Sequence, residues 1–170
     1  MKENPMREIR IEKVTINIGC GSDREKLERA EKLLQRLTNR KVVITKTHKR
    51  TTFGMARNRP IGVKVTLRGK EAEDFLKKTL DAVDFQLKES QFDEFGNFSI
   101  GIKEYIDLPG VKYDPEIGIL GMNVCITLER PGYRVKRRKL KKSKVGKKHR
   151  ITKEEAIEWV KEKFGVKIVG

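Results

Sequence analysis

Cysteine, histidine, tryptophan and aromatic side chains in general are scarce in this 170-residue chain, and two long stretches contain no acid at all. The only cysteines, Cys20 and Cys125, stand alone without CxxC spacing. They read as small, reduced core or sheet residues, which leaves no basis for a disulfide framework or a thiolate metal site. Two histidines, His48 and His149, are too few for a Ser-His-Asp or Cys-His set and lack the spacing of zinc ligands. No run approaches the roughly 20 apolar residues of a membrane span. The opening MKENPMREIRIEK has no hydrophobic signal region, so the expected compartment is the cytosol. Apolar content of 36% is low and charged content of 38% is high, yet the length suffices for one good core.

What the chain has in abundance is positive charge, and that charge is segregated. Lys32 to Lys70 carries twelve Lys/Arg and no Asp or Glu; Arg130 to Lys153 carries thirteen and again no acid. Those two windows hold +25, the other 107 residues sum to −9, and the whole reaches +16. Concentrated cations attract a dense polyanion, because each neutralised phosphate releases condensed counterions. An anionic membrane would want an apolar or amphipathic anchor beside the charge. On this ground His48 and His149, both inside the basic windows, read as RNA-side or solvent residues.

Hydrophobic periodicity supplies the fold class. Arg7 to Gly19 alternates as a strand, with a phase slip at Glu12-Lys13 that predicts a bulge. Ser22 or Asp23 caps a helix to about Thr38, with Leu27, Ala30, Leu33, Leu34 and Leu37 on one face. Val42 to Lys46 is a short strand, Thr47 to Pro60 a long basic connection, and Ile61 to Arg68 a cleanly alternating strand. After Gly69 a second amphipathic helix runs to about Leu87. Phe98 to Glu104 and Leu120 to Glu129 are two more strands, and Thr152 with Glu155 forms a capping box for a last helix. The order β-α-β-β-α-β-β predicts an α+β fold: a mainly antiparallel sheet with two helices on one face, an RRM- or ferredoxin-like sandwich. The division expected is a core over residues 1–130 and a basic extension with C-terminal helix over 131–170, packed on or near that core.

The face of the sheet away from the helices has Thr15, Asn17, Thr45, Lys64, Thr66, Arg68, Ser99, Gly101, Lys103, Asn123, Cys125 and Thr127, with no aromatic among them. Such a face suits contact with a folded RNA helix or loop through hydroxyls, amides and cations, and does not suit stacking of splayed bases. An ordinary solvated face of an antiparallel sheet is the alternative. The connection Thr47 to Pro60 mixes four Lys/Arg with Phe53 and Met55; it reads as a working loop that packs on a nucleotide surface, or as a flexible hairpin tip. The stretch Arg134 to Arg150, with eleven Lys/Arg in seventeen residues, is expected to be disordered until phosphates neutralise it. A nuclear-localisation-like address is its alternative.

Catalytic and nucleotide motifs fail on inspection. Gly19-Cys20-Gly21 resembles the start of a dinucleotide fingerprint, but Arg24 stands where the third glycine belongs. Gly69-Lys70 resembles a P-loop, but Lys64 replaces the first glycine and Glu71 the Ser/Thr. The acidic middle (Glu89, Asp93, Glu94, Glu104, Asp107, Asp114, Glu116) has no spacing that forces two carboxylates together for a two-metal nuclease, and reads as solvated surface. No cofactor and no small-molecule substrate are expected.

Long motifs then match a known family. VITKTHKRTTFGMARNRPIGVKVTLRG resembles the signature of the large-subunit ribosomal protein 5 family, the 5S rRNA-binding protein of the central protuberance. ENPMREIRIEKVTINIG, GNFSIGIKEYIDLPGVKYDPEIGILGMNV, RPGYRVKRRK and KKHRITKEEAIEWVKEKFG resemble its archaeal and eukaryotic branch, and the match covers roughly residues 3–165 in one order. The resemblance implies a structural protein of the cytoplasmic large subunit, not an enzyme. It implies 5S rRNA contact through Asn17, Lys46, Thr47, Lys49, Arg50, Lys64, Thr66 and Arg68. It also implies contact with P-site tRNA through the loop 47–60, with Phe53, Met55, Arg57, Asn58 and Arg59 at the tip. Large-subunit rRNA, other proteins of the central protuberance and the small-subunit head are the further partners implied. The basic segment that threads rRNA would use Arg134, Lys136, Arg137, Arg138, Lys139, Lys141, Lys142, Lys147, Lys148 and Arg150. A metal-dependent nuclease and a free-standing RNA chaperone are the competing classes.

Overall fold

The computed structural model describes residues 4–52 and 54–170. Its centre is a five-stranded antiparallel sheet of β1 (Arg10–Gly19), β2 (Val43–Lys46), β3 (Pro60–Leu67), β5 (Phe98–Ile102) and β6 (Met122–Glu129), in the order β2-β3-β1-β6-β5. Helices α1 (Arg24–Thr38) and α2 (Lys70–Ala82) present Ala30, Leu33, Leu34, Ala72, Phe75, Leu76 and Leu80 to the apolar face of this sheet. The inward residues of β1, Val14, Ile16 and Ile18, are essentially inaccessible at the middle of that layer. A Leu34→Ala or Leu76→Ala change there would cost about 2–5 kcal/mol.

Local chemistry sets the boundaries. The Asp23 carboxylate accepts the N–H groups of Glu25 and Lys26 and starts α1, while Asn39 ends it in the left-handed conformation. The expected bulge lies in β1, where the register against β6 shifts between Ile11 and Lys13 and turns the Glu12 side chain inward. Helix α2 is shorter than its periodicity suggests. It stops at Ala82, because Asp84 and Phe85 both take positive φ, and the Phe85 N–H reaches back to the Leu80 carbonyl. The residues beyond it, Gln86–Lys88, form β4 and pair in parallel with β7 (Lys167–Val169) near the C-terminus. Leu87 is therefore buried as a strand residue, not as the last turn of a helix.

Helix α3 (Lys153–Phe164) begins with the expected capping box: the Thr152 hydroxyl accepts the Glu155 N–H and the Glu155 carboxylate accepts the Thr152 N–H. Its Ala156 and Val160, with Ile151 and Val166, belong to the same apolar core as the sheet. No helix among the described residues is long and apolar enough to cross a membrane.

Candidate nucleic-acid interface

The outer face of the sheet is assembled by register. Thr66, Thr15, Cys125 and Ser99 lie side by side across β3, β1, β6 and β5; Lys64, Asn17, Asn123 and Gly101 form the next row. Beyond them Gly62 faces Gly19 on β1 and Thr45 on β2. A Cβ on Gly62 would lie 2.6 Å from the Ile18 carbonyl oxygen and 3.1 Å from the Thr45 hydroxyl, so only glycine keeps the strands this close. The result is a field of amides, hydroxyls, the Cys125 thiol and one lysine, edged by the exposed Val43 opposite Lys64, with Lys64, Thr66, Ser99, Asn123 and Cys125 exposed and Thr15 and Asn17 half-buried. A surface of this kind hydrogen-bonds phosphate and ribose without inserting between bases.

The sequence-predicted sheet residues gather as expected only in part. Asn17 and Lys64 are direct partners, Thr66 is two positions along, and Lys46, Lys49 and Arg50 continue the exposed cationic edge into the loop. Arg68 is exposed and donates to the Glu12 carbonyl oxygen at 3.4 Å. Thr47 is not presented outward. It is 6% exposed, and its hydroxyl donates to the Ala56 carbonyl at 2.7 Å and accepts the Arg59 N–H at 3.1 Å. With the Thr47 N–H bonded to the Arg59 carbonyl and the Asn58 N–H to the Thr47 carbonyl, this one residue closes the neck of the loop. The loop is thus a clasped hairpin. Arg57, Asn58 and Arg59 are exposed, the last two joining the clasp through their backbone and Asn58 at positive φ, while Met55 and Arg59 line a groove of about 490 Å³ against the start of α1. Phe53 lies outside the described residues.

The basic segment departs most from expectation. It is not free chain: both ends are tied into the fold. Arg130, 4% exposed, donates to the carbonyls of Arg7, His149 and Arg150 and pairs with Glu155 at 3.1 Å. The Tyr133 hydroxyl accepts the Ile151 N–H at 2.9 Å and donates to the His149 carbonyl. His149 is half-buried, bonds the Pro131 carbonyl through Nε2 and sets its ring edge against Tyr133, so it helps hold the segment, a duty the sequence reading did not give it. Arg137 bonds Glu12 and also Glu129, the latter at 2.9 Å, which makes it an anchor. Composition predicted disorder because eleven cations repel; the buried carboxylates and backbone acceptors at the root supply the missing compensation. Arg134, Lys136, Arg138, Lys139, Lys141, Lys142, Lys147 and Lys148 remain exposed, and Arg150 is half-buried with its Nε on the Val145 carbonyl.

Part of the acidic middle is engaged in the fold, and Glu94 and Asp107 are exposed. Asp114 pairs with Arg36, and its carboxyl is held below the usual range by the Glu116 N–H and then by that guanidinium. Asp93 closes its own turn, and Glu89 pairs with Lys153 at 3.3 Å. Among the described residues, no three His, Cys, Asp or Glu side chains are grouped to hold a metal ion. Sequence reasoning had no means of singling out Phe95 and Lys144, which border a cavity with Tyr133 and Lys136. Phe95 falls outside every strand and helix pattern, and that is the one signal it gives.

An antiparallel α+β body with a polar sheet face that lacks aromatics and a clasped basic loop has the form of a structural RNA-binding protein. Residues 60–159 match the model of the ribosomal L5P family C-terminus, and residues 4–52 that of ribosomal protein L5. The chain is similar to the large ribosomal subunit protein uL5 of Sulfurisphaera tokodaii, 57% identical over 98% of this chain and 95% of that one. It is likewise similar to those of Sulfolobus acidocaldarius (54%, over 99% and 95%) and Nanoarchaeum equitans (56%, over 98% and 99%). The chain belongs to the ribosomal protein L5 family, on its archaeal branch, and its role is structural, not enzymatic.

Proposed function

We propose that this chain, a structural protein of the large ribosomal subunit, seats 5S rRNA through the outer face of its sheet and touches P-site tRNA through the loop 47–60. The observation that carries the reading is the row Lys64, Asn17, Asn123, flanked by Thr66 and Thr15 and continued by Lys46, Lys49 and Arg50. A rigid antiparallel ladder fixes these donors relative to one another, so phosphate and 2′-OH contacts form without ordering a disordered surface. The clasp at Thr47 supports the second half of the reading, since it holds Arg57, Asn58 and Arg59 out on a defined hairpin. The exposed part of the basic segment faces large-subunit rRNA, and neighbouring proteins of the central protuberance and the small-subunit head complete the surroundings.

Comparison of 5S rRNA with an unrelated duplex of equal length, at one salt concentration, tests this directly. Preference for 5S rRNA by tenfold or more is the expected result. Equal affinity for both would make the chain a general RNA chaperone and defeat the proposal.

A further inference from the structure

The turn before β5 holds out an aromatic ring that the core does not use. Phe95 is 56% exposed, yet its backbone is fixed: the Asp93 carboxylate accepts the N–H groups of Phe95 and Asn97 at 2.9 and 2.8 Å. Gly96, at φ +79°, lets this turn press on the start of α3, where a Cβ would lie 2.6 Å from Ile151 Cγ2 and 3.0 Å from Ala156 Cβ. Behind the ring opens a cavity of about 390 Å³, with Leu128, Tyr133 and Ile151 among its apolar walls and Lys136, Lys144 and Arg150 among its cations. The Lys136 ammonium sits 4.7 Å from the centre of the Tyr133 ring, and the Val145 carbonyl orients Arg150. None of the described lining residues is acidic.

We propose that this cavity takes one unstacked nucleotide of ribosomal RNA, its base against Phe95 and its phosphate among Lys136, Lys144 and Arg150. The inference rests on the reading that this chain lies against RNA, and adds a mode of contact that the aromatic-free sheet face does not offer. An exposed ring on a fixed backbone, beside cations, is what a flipped base needs: a planar partner for its π-face and neutralisation for its phosphate. An acidic peptide would use the cations and leave the ring without a planar partner.

The test is amide-resolved NMR titration of the full chain with the trinucleotide rAAA, with an abasic trinucleotide of equal charge, and with hexaglutamate. Shifts confined to residues 95–97, 133–136 and 144–151, with rAAA bound tightest, are expected. Phe95→Ala should weaken rAAA roughly fivefold or more while Phe95→Tyr keeps it. Equal affinity for the abasic probe or for hexaglutamate, or no effect of Phe95→Ala, would overturn the proposal and leave only a cationic patch. Wild-type affinity for 5S rRNA, measured in the same buffer, separates the two readings. Loss of 5S binding with the pocket shifts intact defeats the proposed function alone, and the reverse defeats the pocket alone.

Discussion

Arg137 clamps the carboxylate of Glu12 across 125 residues of sequence, at the bulge where β1 turns that side chain into the protein. The same guanidinium reaches Glu129 at 2.9 Å, and Arg10 holds the other oxygen of Glu129 at 3.0 Å. Glu12 thus depends on one arginine from the basic segment, which Glu129 shares with Arg10. Removing it strands Glu12 without a counter-charge, the costly way to break such a pair. Arg137→Ala should lower stability by about 2 kcal/mol, read as a lower midpoint in urea. Residues 138–148 should also become a protease-sensitive loop. Arg137→Lys should recover only part of the loss, since one ammonium cannot serve both carboxylates in fork geometry.

Glu155 gives the acid response a sign. Burial alone would push its carboxyl up, but the Thr152 N–H and then Arg130 hold it below its ordinary 4.5. A carboxyl depressed in the folded state contributes stability that is full above pH 4.5 and is lost as pH falls through the folded value. Glu155→Gln keeps the capping geometry but removes the charge beside buried Arg130. It should be less stable at pH 7 by about 1 kcal/mol, the pair being partly screened because the Glu155 side chain is 35% exposed, and lose less on acidification than wild type. Chemical denaturation at pH 7, 5, 4 and 3 checks both; parallel curves for the two proteins would rule the assignment out.

Tyr133→Phe removes one hydroxyl and with it two hydrogen bonds, one accepted from the Ile151 N–H and one donated to the His149 carbonyl. The Ile151 N–H donates to the Tyr133 hydroxyl in a buried setting, and the variant leaves that donor without a partner. A loss of about 1–3 kcal/mol is expected, with faster amide exchange at Ile151 as the local signature.

Period-two alternation made the sheet legible: it separated Val14, Ile16 and Ile18 from Thr15 and Asn17, and its slip at Glu12-Lys13 marked the bulge. Capping chemistry made α1 and α3 legible through Asp23, Thr152 and Glu155. Pairing between distant three-residue segments leaves no such trace, so β4 and β7 were hidden inside a helix pattern and a tail. The end of α2 was hidden too, because Asp84 and Phe85 stop it without a glycine or proline. At the candidate site the same line divides the outcome. Lys64 and Asn17 follow from strand phase, whereas the inward duties of Thr47, Arg137 and His149 depend on acceptors that only the folded chain brings near. Charge counting treats all cations alike and cannot tell an anchor from a ligand.

Binding of 5S rRNA should depend steeply on salt. Six to ten phosphate contacts would lower affinity roughly 10³–10⁵-fold between 50 and 200 mM. Lys64→Ala, on the β3 side of the outer row, should flatten the log–log slope by about 1 while leaving the fold intact, since its side chain is exposed. Filter binding across a salt series reads both quantities. An unchanged slope would remove Lys64 from the phosphate contacts.

The loop separates contact from support. Arg57 and Arg59 are exposed on the loop, Arg59 joining the clasp through its backbone, so changing both to Ala should spare 5S rRNA affinity and weaken retention of P-site tRNA on assembled subunits by tenfold or more. Thr47→Val acts differently, because it keeps every cation and removes the hydroxyl that joins the Ala56 carbonyl to the Arg59 N–H. About 1 kcal/mol of local stability should go with it, seen as faster exchange at Arg59 and Asn58 amides. Retention of tRNA should then fall through disorder of the hairpin, with no change in the salt slope of 5S binding. If Thr47→Val instead lowered 5S affinity while the loop amides stayed protected, the residue would be a ligand of RNA and the clasp incidental.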